Sequence, residues 1–256
     1  MAAHLLRPAG LARTSYCASP SGGPRAARGY TADTTGRTVG AAPVNMTGPF
    51  SAGALCSTTR DLATWAAALP SGRVVSRASY AAMTAPRPFA RDLPPYGCGL
   101  QLETLAGHPV VGHDGVITGF SSRVATYPLD SLVIAVLANT DALALQPLER
   151  RLALFALGVP DPAPRRLPVS AADVARAVGR YRARVYGFTV VVRGDAGGLT
   201  AEVPRVGRFA LRRQAADAYV SEDDHYLRFR FVGSGGRAVV VEMTEPGHAA
   251  TLDRLP

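Results

Sequence analysis

The stretch "VVGHDGVITGF", residues 110–120, holds a histidine between Gly112 and Gly115, with Asp114 beside it. The apolar residues around the glycines are typical of a β-strand. A glycine on a strand leaves space for a ligand or another backbone, because it has no side chain. The stretch therefore predicts that the His113 imidazole lies at an accessible strand edge. A catalytic role for this imidazole would require a second reacting group for it to act on.

The sequence around this histidine predicts a meander of four antiparallel strands over residues 96–140. Turn-like "AG" and "PLDS" separate the first pair and the last pair of strands. A helix is predicted to follow over about residues 142–157 and to end at Gly158 and Pro160. The four predicted strands read "YGCGLQLETL", "HPVVGHDGV", "GFSSRVATY" and "SLVIAVLANT".

Upstream of the meander the period of the apolar residues becomes helical. "STTRDLATWAAALPSG" predicts a helix capped by Thr58, with Asp61 as the acidic partner of a capping box. "SRASYAAMTAP" predicts a second helix, capped by Ser76 and ended before Pro86. "MAAHLLRPAGL" is helix-like from its first residue and has no capping residue, so we interpret it as the end of a helix that starts elsewhere.

A proline-rich stretch, "PDPAPRRLP" at 160–168, predicts a linker, which we place at residues 159–169. It separates a first domain, residues 1–158, from a second, residues 170–256. The second domain should open with a short helix capped by Ser170 and Asp173, and "GSGG" should join two of the six or seven short strands that follow, as a small barrel or sandwich. The predicted fold class is α/β (α+β), with helices on an antiparallel sheet and a second, small β-barrel-like domain.

Charge and hydropathy exclude two classes of partner. The net charge of +9 is spread along the chain, since residues 1–160 carry 13 arginines against 8 acidic residues and residues 161–256 carry 15 against 11. No basic block is interleaved with aromatic residues, so we predict no nucleic-acid partner. The longest apolar run, "LVIAVLA", suits a buried strand, whereas a membrane span needs about 20 residues. We therefore predict no membrane span.

All 28 basic residues are arginine, and this excludes mechanisms in which this chain supplies a lysine base, a Schiff base or a phosphate-loop lysine. The three cysteines, Cys17, Cys56 and Cys98, match no zinc or redox spacing, and we interpret them as small buried thiols. His108, His113 and Asp114 lack a further strong metal ligand at a suitable spacing. We therefore predict neither a metal nor a cofactor.

The chain resembles serine hydrolases of the β-lactamase and penicillin-binding-protein superfamily, in particular the class C-like branch with esterases and D-amino-acid peptidases. The resemblance covers about residues 1–158, and the residues from 170 onward resemble a small β domain that follows the catalytic domain in some members. Four stretches in the same order and spacing carry it: "HLLRPAGLARTSY", "AGALCSTTRDLATWAAAL", "GHDGVITGFSS" and "LVIAVLANT".

The resemblance implies a role for the segment "HDG", which matches the third motif of that family, Lys-Thr-Gly or, in esterase-like members, His-x-Gly. Gly115 would let substrate lie against the strand edge, and the backbone N–H of Val116 would be one of two oxyanion-hole donors. His113 would polarise the cleft or relay a proton. The alternative is that His113 is a surface histidine with no such role.

The other two motifs of the family are not found in this chain. Ser-x-x-Lys cannot occur without lysine, and neither Tyr16 nor Tyr30 precedes an asparagine in the required pattern. In the family both motifs lie upstream of the stretch matching "HLLRPAGL". We therefore expect a truncated serine hydrolase that is inactive alone, although the intact family hydrolyses esters, amides or β-lactams through an acyl-enzyme. The alternative is a non-catalytic protein that uses the same scaffold to bind a ligand or partner.

Three expectations about partners and location follow. Once completed by an upstream half, the site would take a small ester, amide or β-lactam-like substrate. Without that half, the sheet and the helix "STTRDLATWAAAL" should expose an apolar face through which the chain self-associates. No signal peptide is evident, so the cytoplasm is the default location, although members of the family are often exported.

Overall fold

The computed structural model describes residues 1–17, 26–87, 96–161, 163–185, 187–195, 198–204, 207–233, 236–246 and 248–256. The described chain forms two compact units: Met1–Arg87 with Tyr96–Leu157, and Gly158–Pro256. That residues 170–256 fold independently, behind a linker at 159–169, remains a prediction.

The first unit is built on the predicted four-stranded antiparallel meander, which the structure confirms. Its strands, which pair in this order, are β5 (Gln101–Leu105), β6 (His108–Ile117), β7 (Phe120–Tyr127) and β8 (Leu132–Ala138). The first strand begins five residues later than predicted. Two-residue turns join β5 to β6 and β6 to β7, and Ala106 and Gly107 both have positive φ, as a type I′ hairpin requires.

Short elements precede the sheet: α1 (Arg7–Ala9), β1 (Ser15–Tyr16), β2 (Tyr30–Ala32), β3 (Thr38–Gly40), α2 (Phe50–Gly53) and β4 (Leu55–Cys56). The chain starts with a π-helical turn, Ala2–Leu6, which continues into α1 and ends at Gly10 in the left-handed conformation. Two small two-stranded sheets pair β1 with β4 and β2 with β3.

The two predicted helices before the sheet form with the predicted N-caps: α3 (Thr59–Ala68) and α4 (Arg77–Met83). The Thr58 hydroxyl accepts from the Asp61 N–H. The Asp61 carboxylate, however, does not complete a capping box. It accepts from the backbone N–H of Arg13 and from the Thr14 hydroxyl, both at 2.7 Å, and so binds the N-terminal segment to α3.

The helix after the sheet, α5 (Gln146–Leu157), packs against β7 and β8. It starts later than the predicted residue 142, because the Ala142 N–H donates to the Thr140 hydroxyl in a local turn. It ends as predicted, with Gly158 in the left-handed conformation at φ +66°.

The interpretation of the three cysteines as small buried thiols is wrong. Cys17 and Cys56 form a disulfide across 39 residues, with their Cα atoms 5.6 Å apart, and Cys98 is an exposed free cysteine. The pairing of Ser15 with Cys56 between β1 and β4 brings the two sulfurs together. Sequence spacing does not reveal such a pair, because sheet register decides it.

The second unit is a closed antiparallel barrel of eight strands, which confirms the predicted barrel-like domain and excludes a sandwich. A helix, α6 (Ala171–Ala177), precedes it with the complete predicted capping box of Ser170 and Asp173. The strands are β9 (Gly179–Ala183), β10 (Thr189–Asp195), β11 (Gly198–Val203), β12 (Gly207–Arg213), β13 (Ala218–Ser221), β14 (Arg228–Val232), β15 (Val240–Glu245) and β16 (His248–Arg254).

The eight strands exceed the six or seven that the sequence predicts. β9 is the first of them. It pairs with both β10 and β16 and thereby closes the barrel. β14 and β15 are neighbours, and the predicted hairpin residues Ser234 and Gly235 between them lie outside the described residues.

The barrel interior is filled with side chains. Phe229 and Phe231 point inward and alternate with exposed Arg228 and Arg230. Phe231 makes edge-to-face contacts with Tyr181 and Tyr219, at ring-centroid distances of 6.1 and 5.4 Å. Such a packed interior is the source of stability in a small barrel.

Part of the predicted linker is attached to the barrel. The Arg165 backbone exchanges two hydrogen bonds with the Gln214 side chain, and Leu167 forms a β-bridge with Arg213. No helix within the described ranges has both the length and the apolar character to cross a membrane.

Candidate active site

The predicted site residues lie on a strand edge that has no neighbouring strand among the described residues. The pairing of β5 with β6 stops at Gln101 opposite Gly112. β6 continues to Ile117, and over residues 113–117 the only described strand that pairs with it is β7. Among the described residues, one edge of β6 is therefore free for an extended ligand from His113 onward.

The backbone groups on this free edge follow from the register. The two-residue loop between Ile117 and Phe120 makes these residues a hydrogen-bonded pair, and such pairs alternate along antiparallel strands. Gly115 and His113 therefore direct their N–H and C=O groups toward β7. The Val116 N–H and the Asp114 C=O are directed toward the free edge, and the Val116 side chain is 65% exposed.

Both glycines beside His113 have packing reasons to be glycine. A Cβ atom at Gly112 would overlap the carbonyl oxygen of Val124 on the adjacent strand. A Cβ atom at Gly115 would lie 2.9 Å from the Ser122 hydroxyl oxygen. Gly112 is thus required by the sheet itself, whereas the contact at Gly115 involves only the tip of one small side chain.

The His113 imidazole is exposed and has a hydrogen-bond partner at each nitrogen. Nδ1 lies 2.5 Å from the Asp114 carbonyl oxygen, and Nε2 lies 2.6 Å from the Tyr96 hydroxyl oxygen. A carbonyl oxygen only accepts, so the Nδ1 proton is donated to it. Tyr96 lies 17 residues upstream of His113 in sequence, so no local pattern links the two residues and only the fold brings them together.

A hydrogen-bonded chain connects Asp114 to the core under the sheet. The Asp114 carboxylate accepts from the Gln101 side-chain amide at 2.5 Å. The Gln101 side-chain oxygen accepts from Arg123 at 2.7 Å. Arg123 is fully buried and also donates to Glu103 at 3.1 Å and to Glu149 of α5 at 3.4 Å. The backbone next to His113 is thus anchored to the interface between sheet and helix.

Burial shifts the titration of the groups in this cluster. Desolvation raises the pKa of the Glu149 carboxyl, and the nearby Arg123 guanidinium opposes this shift. Burial also raises the pKa of the Tyr127 hydroxyl, which donates to Glu149 at 2.7 Å. At the surface, partial burial and the Asp114 carboxylate raise the pKa of Tyr96, so its phenol keeps its proton at neutral pH.

The metal-ligand candidates do not converge. His108 lies at the other end of β6 and pairs with Asp130 at 2.9 Å, whereas His113 contacts Tyr96. Within the part of the chain that the structure describes, no three His, Cys, Asp or Glu side chains are grouped as metal ligands.

An antiparallel sheet with a histidine-bearing free edge, packed against a C-terminal helix, is the architecture expected from the resemblance. The family model described as Beta-lactamase matches residues 1–159. The chain belongs to the beta-lactamase family. No curated protein matches the sequence.

Among solved structures, the fold is similar to that of a penicillin-binding protein homologue, and two amidase structures give weaker matches. An octameric penicillin-binding protein homologue from Pyrococcus abyssi has 19% identity and a TM-score of 0.57, and the match covers 97% of this chain and 58% of that one. A D-stereospecific amidohydrolase from Streptomyces sp. has 24% identity and a TM-score of 0.49, covering 54% and 42%. A D-amino acid amidase from Ochrobactrum anthropi SV3 has 22% identity and a TM-score of 0.46, covering 61% and 50%. The chain thus spans about three-fifths of the length of the Pyrococcus protein, and less of the Streptomyces and Ochrobactrum enzymes.

Proposed function

We propose that the first unit supplies one wall of the active-site cleft of a serine hydrolase that cleaves an ester, amide or β-lactam through an acyl-enzyme. The observation that carries this proposal is the free edge of β6, where His113, Gly115 and Val116 follow the last residue paired with β5. The membership of the beta-lactamase family supports the same reaction class.

Each of these residues has a distinct task in the proposed cleft. Substrate lies along the free edge beside Gly115, where no side chain blocks it. The Val116 N–H donates to the carbonyl oxygen as negative charge develops on it, as one of two oxyanion donors. His113 is the imidazole beside the reacting groups, and it relays a proton or polarises the cleft.

We do not assign the nucleophile or its base to residues of this chain. A serine-lysine pair cannot form in a sequence without lysine. Ser122 is adjacent to Gly115, but its hydroxyl donates to the Gly115 carbonyl at 3.4 Å. We therefore propose that other sequence supplies Ser-x-x-Lys, and that these 256 residues alone do not turn over substrate.

The test has two arms. The purified chain is incubated with a chromogenic β-lactam, a p-nitrophenyl ester and a fluorophosphonate probe, and we expect neither hydrolysis nor labelling. The chain is then co-expressed with the segment encoded directly upstream at its locus, and we expect ester hydrolysis to appear. His113→Ala should lower that activity by on the order of 100-fold, because it removes a general acid–base group.

A matched control lies on the same strand. His108→Ala removes a histidine that pairs with Asp130 far from the free edge, and it should leave the activity within about twofold. Stoichiometric labelling of a serine in the chain alone would contradict the proposal. If the chain is soluble and the DNA upstream at its locus encodes no serine-lysine motif, the alternative of a non-catalytic binding protein is favoured instead.

We propose further that the chain by itself associates with a second copy through α5. Its buried residues include Glu149 and Ala153, whereas Leu148, Leu152 and Phe155 lie on the outer side with 48%, 43% and 88% of their surface exposed. These three follow the spacing of a single helix face. The sequence predicts an exposed apolar face on the sheet and on the helix that forms α3, and Leu137 of β8 is 41% exposed. The outer side of α5 adds to that prediction.

Phe155→Ser should weaken this association by about 10- to 100-fold, because it removes the burial of one large apolar side chain. Sedimentation velocity over a concentration series and binding of a hydrophobic dye measure the effect. Leu129→Ser is the control, since Leu129 is 79% exposed in the turn between β7 and β8. A monomeric chain that binds no dye would rule out the apolar interface.

A further inference from the structure

The Tyr96 hydroxyl contacts the His113 imidazole on the side opposite the Asp114 carbonyl. The two rings meet edge to face with centroids 5.8 Å apart, and the hydroxyl oxygen is 2.6 Å from Nε2. We propose that Tyr96 is a positioning residue for His113, and that its hydroxyl is the group through which His113 gains and loses a proton. The catalytic relevance of this inference rests on the proposed function, but the pairing itself does not.

The backbone holds Tyr96 in place before the sheet begins. The Tyr96 carbonyl accepts from the Arg87 N–H at 3.2 Å, and Tyr96 also forms a β-bridge with Gln101. Next to it, a Cβ atom at Gly97 would overlap the Met83 carbonyl oxygen at the end of α4. Only glycine allows the backbone to pass this close to the Met83 carbonyl, so the packing against α4 fixes the position of Tyr96.

The Asp114 carbonyl selects the tautomer of neutral His113. With the proton on Nδ1, the lone pair on Nε2 is directed toward Tyr96, whose hydroxyl then donates. The opposite tautomer would place two lone pairs against each other at the Asp114 carbonyl. Both imidazole nitrogens are therefore hydrogen-bonded, and a proton that passes between Nε2 and the cleft passes through the Tyr96 hydroxyl.

A hydroxyl suits this position because it serves both charge states of the imidazole. It donates to neutral Nε2 and, after rotation, accepts from protonated Nε2–H. In the relay step, an external acid gives its proton to the Tyr96 oxygen while the Tyr96 hydroxyl hydrogen moves to Nε2. The products are imidazolium, an intact phenol and the conjugate base of the acid, and the reverse step returns the proton.

Two neighbours of Tyr96 support this role. Partial burial and, to a smaller extent, the Asp114 carboxylate raise the pKa of the phenol, so it remains a donor at neutral pH. The same carboxylate is held by Gln101, whose backbone bridges to Tyr96. One residue, Gln101, thereby sets the positions of both Tyr96 and the Asp114 segment that carries the carbonyl.

The test is nitrogen NMR of the full chain labelled with ¹⁵N-histidine, at a pH where the imidazoles are neutral. We expect His113, assigned by loss of its signals in His113→Gln, to be the Nδ1–H tautomer. Tyr96→Phe keeps the ring and leaves the Asp114 carbonyl in place, so His113 should remain the Nδ1–H tautomer. The Nε2 resonance should move downfield, because its lone pair loses the hydroxyl that donates to it. In acid, the same variant should speed exchange of the Nε2–H proton with water by roughly three- to tenfold, the equivalent of one net hydrogen bond.

Tyr80→Phe is the matched control, because it removes a half-buried phenol from α4 in the same unit. An Nε2–H tautomer in the wild-type chain, or an unchanged Nε2 resonance with an exchange rate within twofold in Tyr96→Phe, would overturn the inference. These readouts do not need activity. If they move as expected while His113→Ala leaves hydrolysis unchanged in the co-expressed protein, the proposed function fails and the pairing stands.

Discussion

Arg123→Met should lower the free energy of unfolding of the first unit by about 3–5 kcal/mol. Arg123 is fully buried, and it is the shared partner of Glu103 and Glu149, whose side chains are 5% and 0% exposed. Methionine fills much of the same volume but leaves both carboxylates without this cation. Breaking a buried pair from one side costs more than the pair contributes, because an uncompensated charge stays in a low-dielectric interior.

The loss should be smaller in acid. Burial already raises the pKa of Glu149 above its ordinary value of 4.5, and removing Arg123 takes away the main opposing cause. A carboxyl whose folded pKa is raised contributes stability that is present below the unfolded pKa and is lost as the pH rises through the folded pKa. Denaturant unfolding of the variant, measured at neutral pH and below 4.5, should therefore converge toward the wild type in acid.

Arg37→Met is the control for this experiment. Arg37 pairs with Asp33 at 3.3 Å in the same unit, but its side chain is 79% exposed. An exposed pair of this kind contributes about 0–1 kcal/mol. Equal losses for the two variants would contradict the account of a desolvated charge cluster, and so would an Arg123→Met loss that grows in acid.

Phe231→Ala should destabilise the barrel by about 3–5 kcal/mol. Phe231 is 1% exposed, and its ring contacts both Tyr181 and Tyr219 inside the barrel. Alanine would leave a cavity that a closed barrel cannot collapse, because its eight strands are linked to each other on both sides. Val239→Ala, at a residue with 55% exposure, is the control and should change stability by less than about 0.5 kcal/mol.

The same variant tests whether the second domain is independent. The loss is measured by denaturant unfolding of the full chain and of residues 159–256, a piece that keeps the bonds from Arg165 and Leu167 to the barrel. If the domain folds on its own, both proteins should show the same loss, and signals of the first unit should not change. A piece that does not fold, or a first unit that unfolds with the barrel, would show that the predicted domains depend on each other.

Local chemistry in the sequence determined much of the fold. Thr58, Ser76 and Ser170 each cap the helix predicted to follow them, because a capping hydroxyl accepts from an N–H only three residues away. The meander was also predictable, since alternating residues joined by tight turns leave little choice of partner. The placement of His113 and Gly115 on one strand was predictable for the same reason, because it depends only on nearby residues.

Only the tertiary structure decided which distant groups meet. The Cys17–Cys56 disulfide, the eighth barrel strand at Gly179–Ala183 and the contact of Tyr96 with His113 all depend on sheet register or barrel closure. Arg123 and Glu149 are 26 residues apart and resemble surface charges in sequence, yet both are buried. Propensity and periodicity act over a few residues, whereas these contacts arise only after strands and helices have packed, so the sequence pattern carries no trace of them.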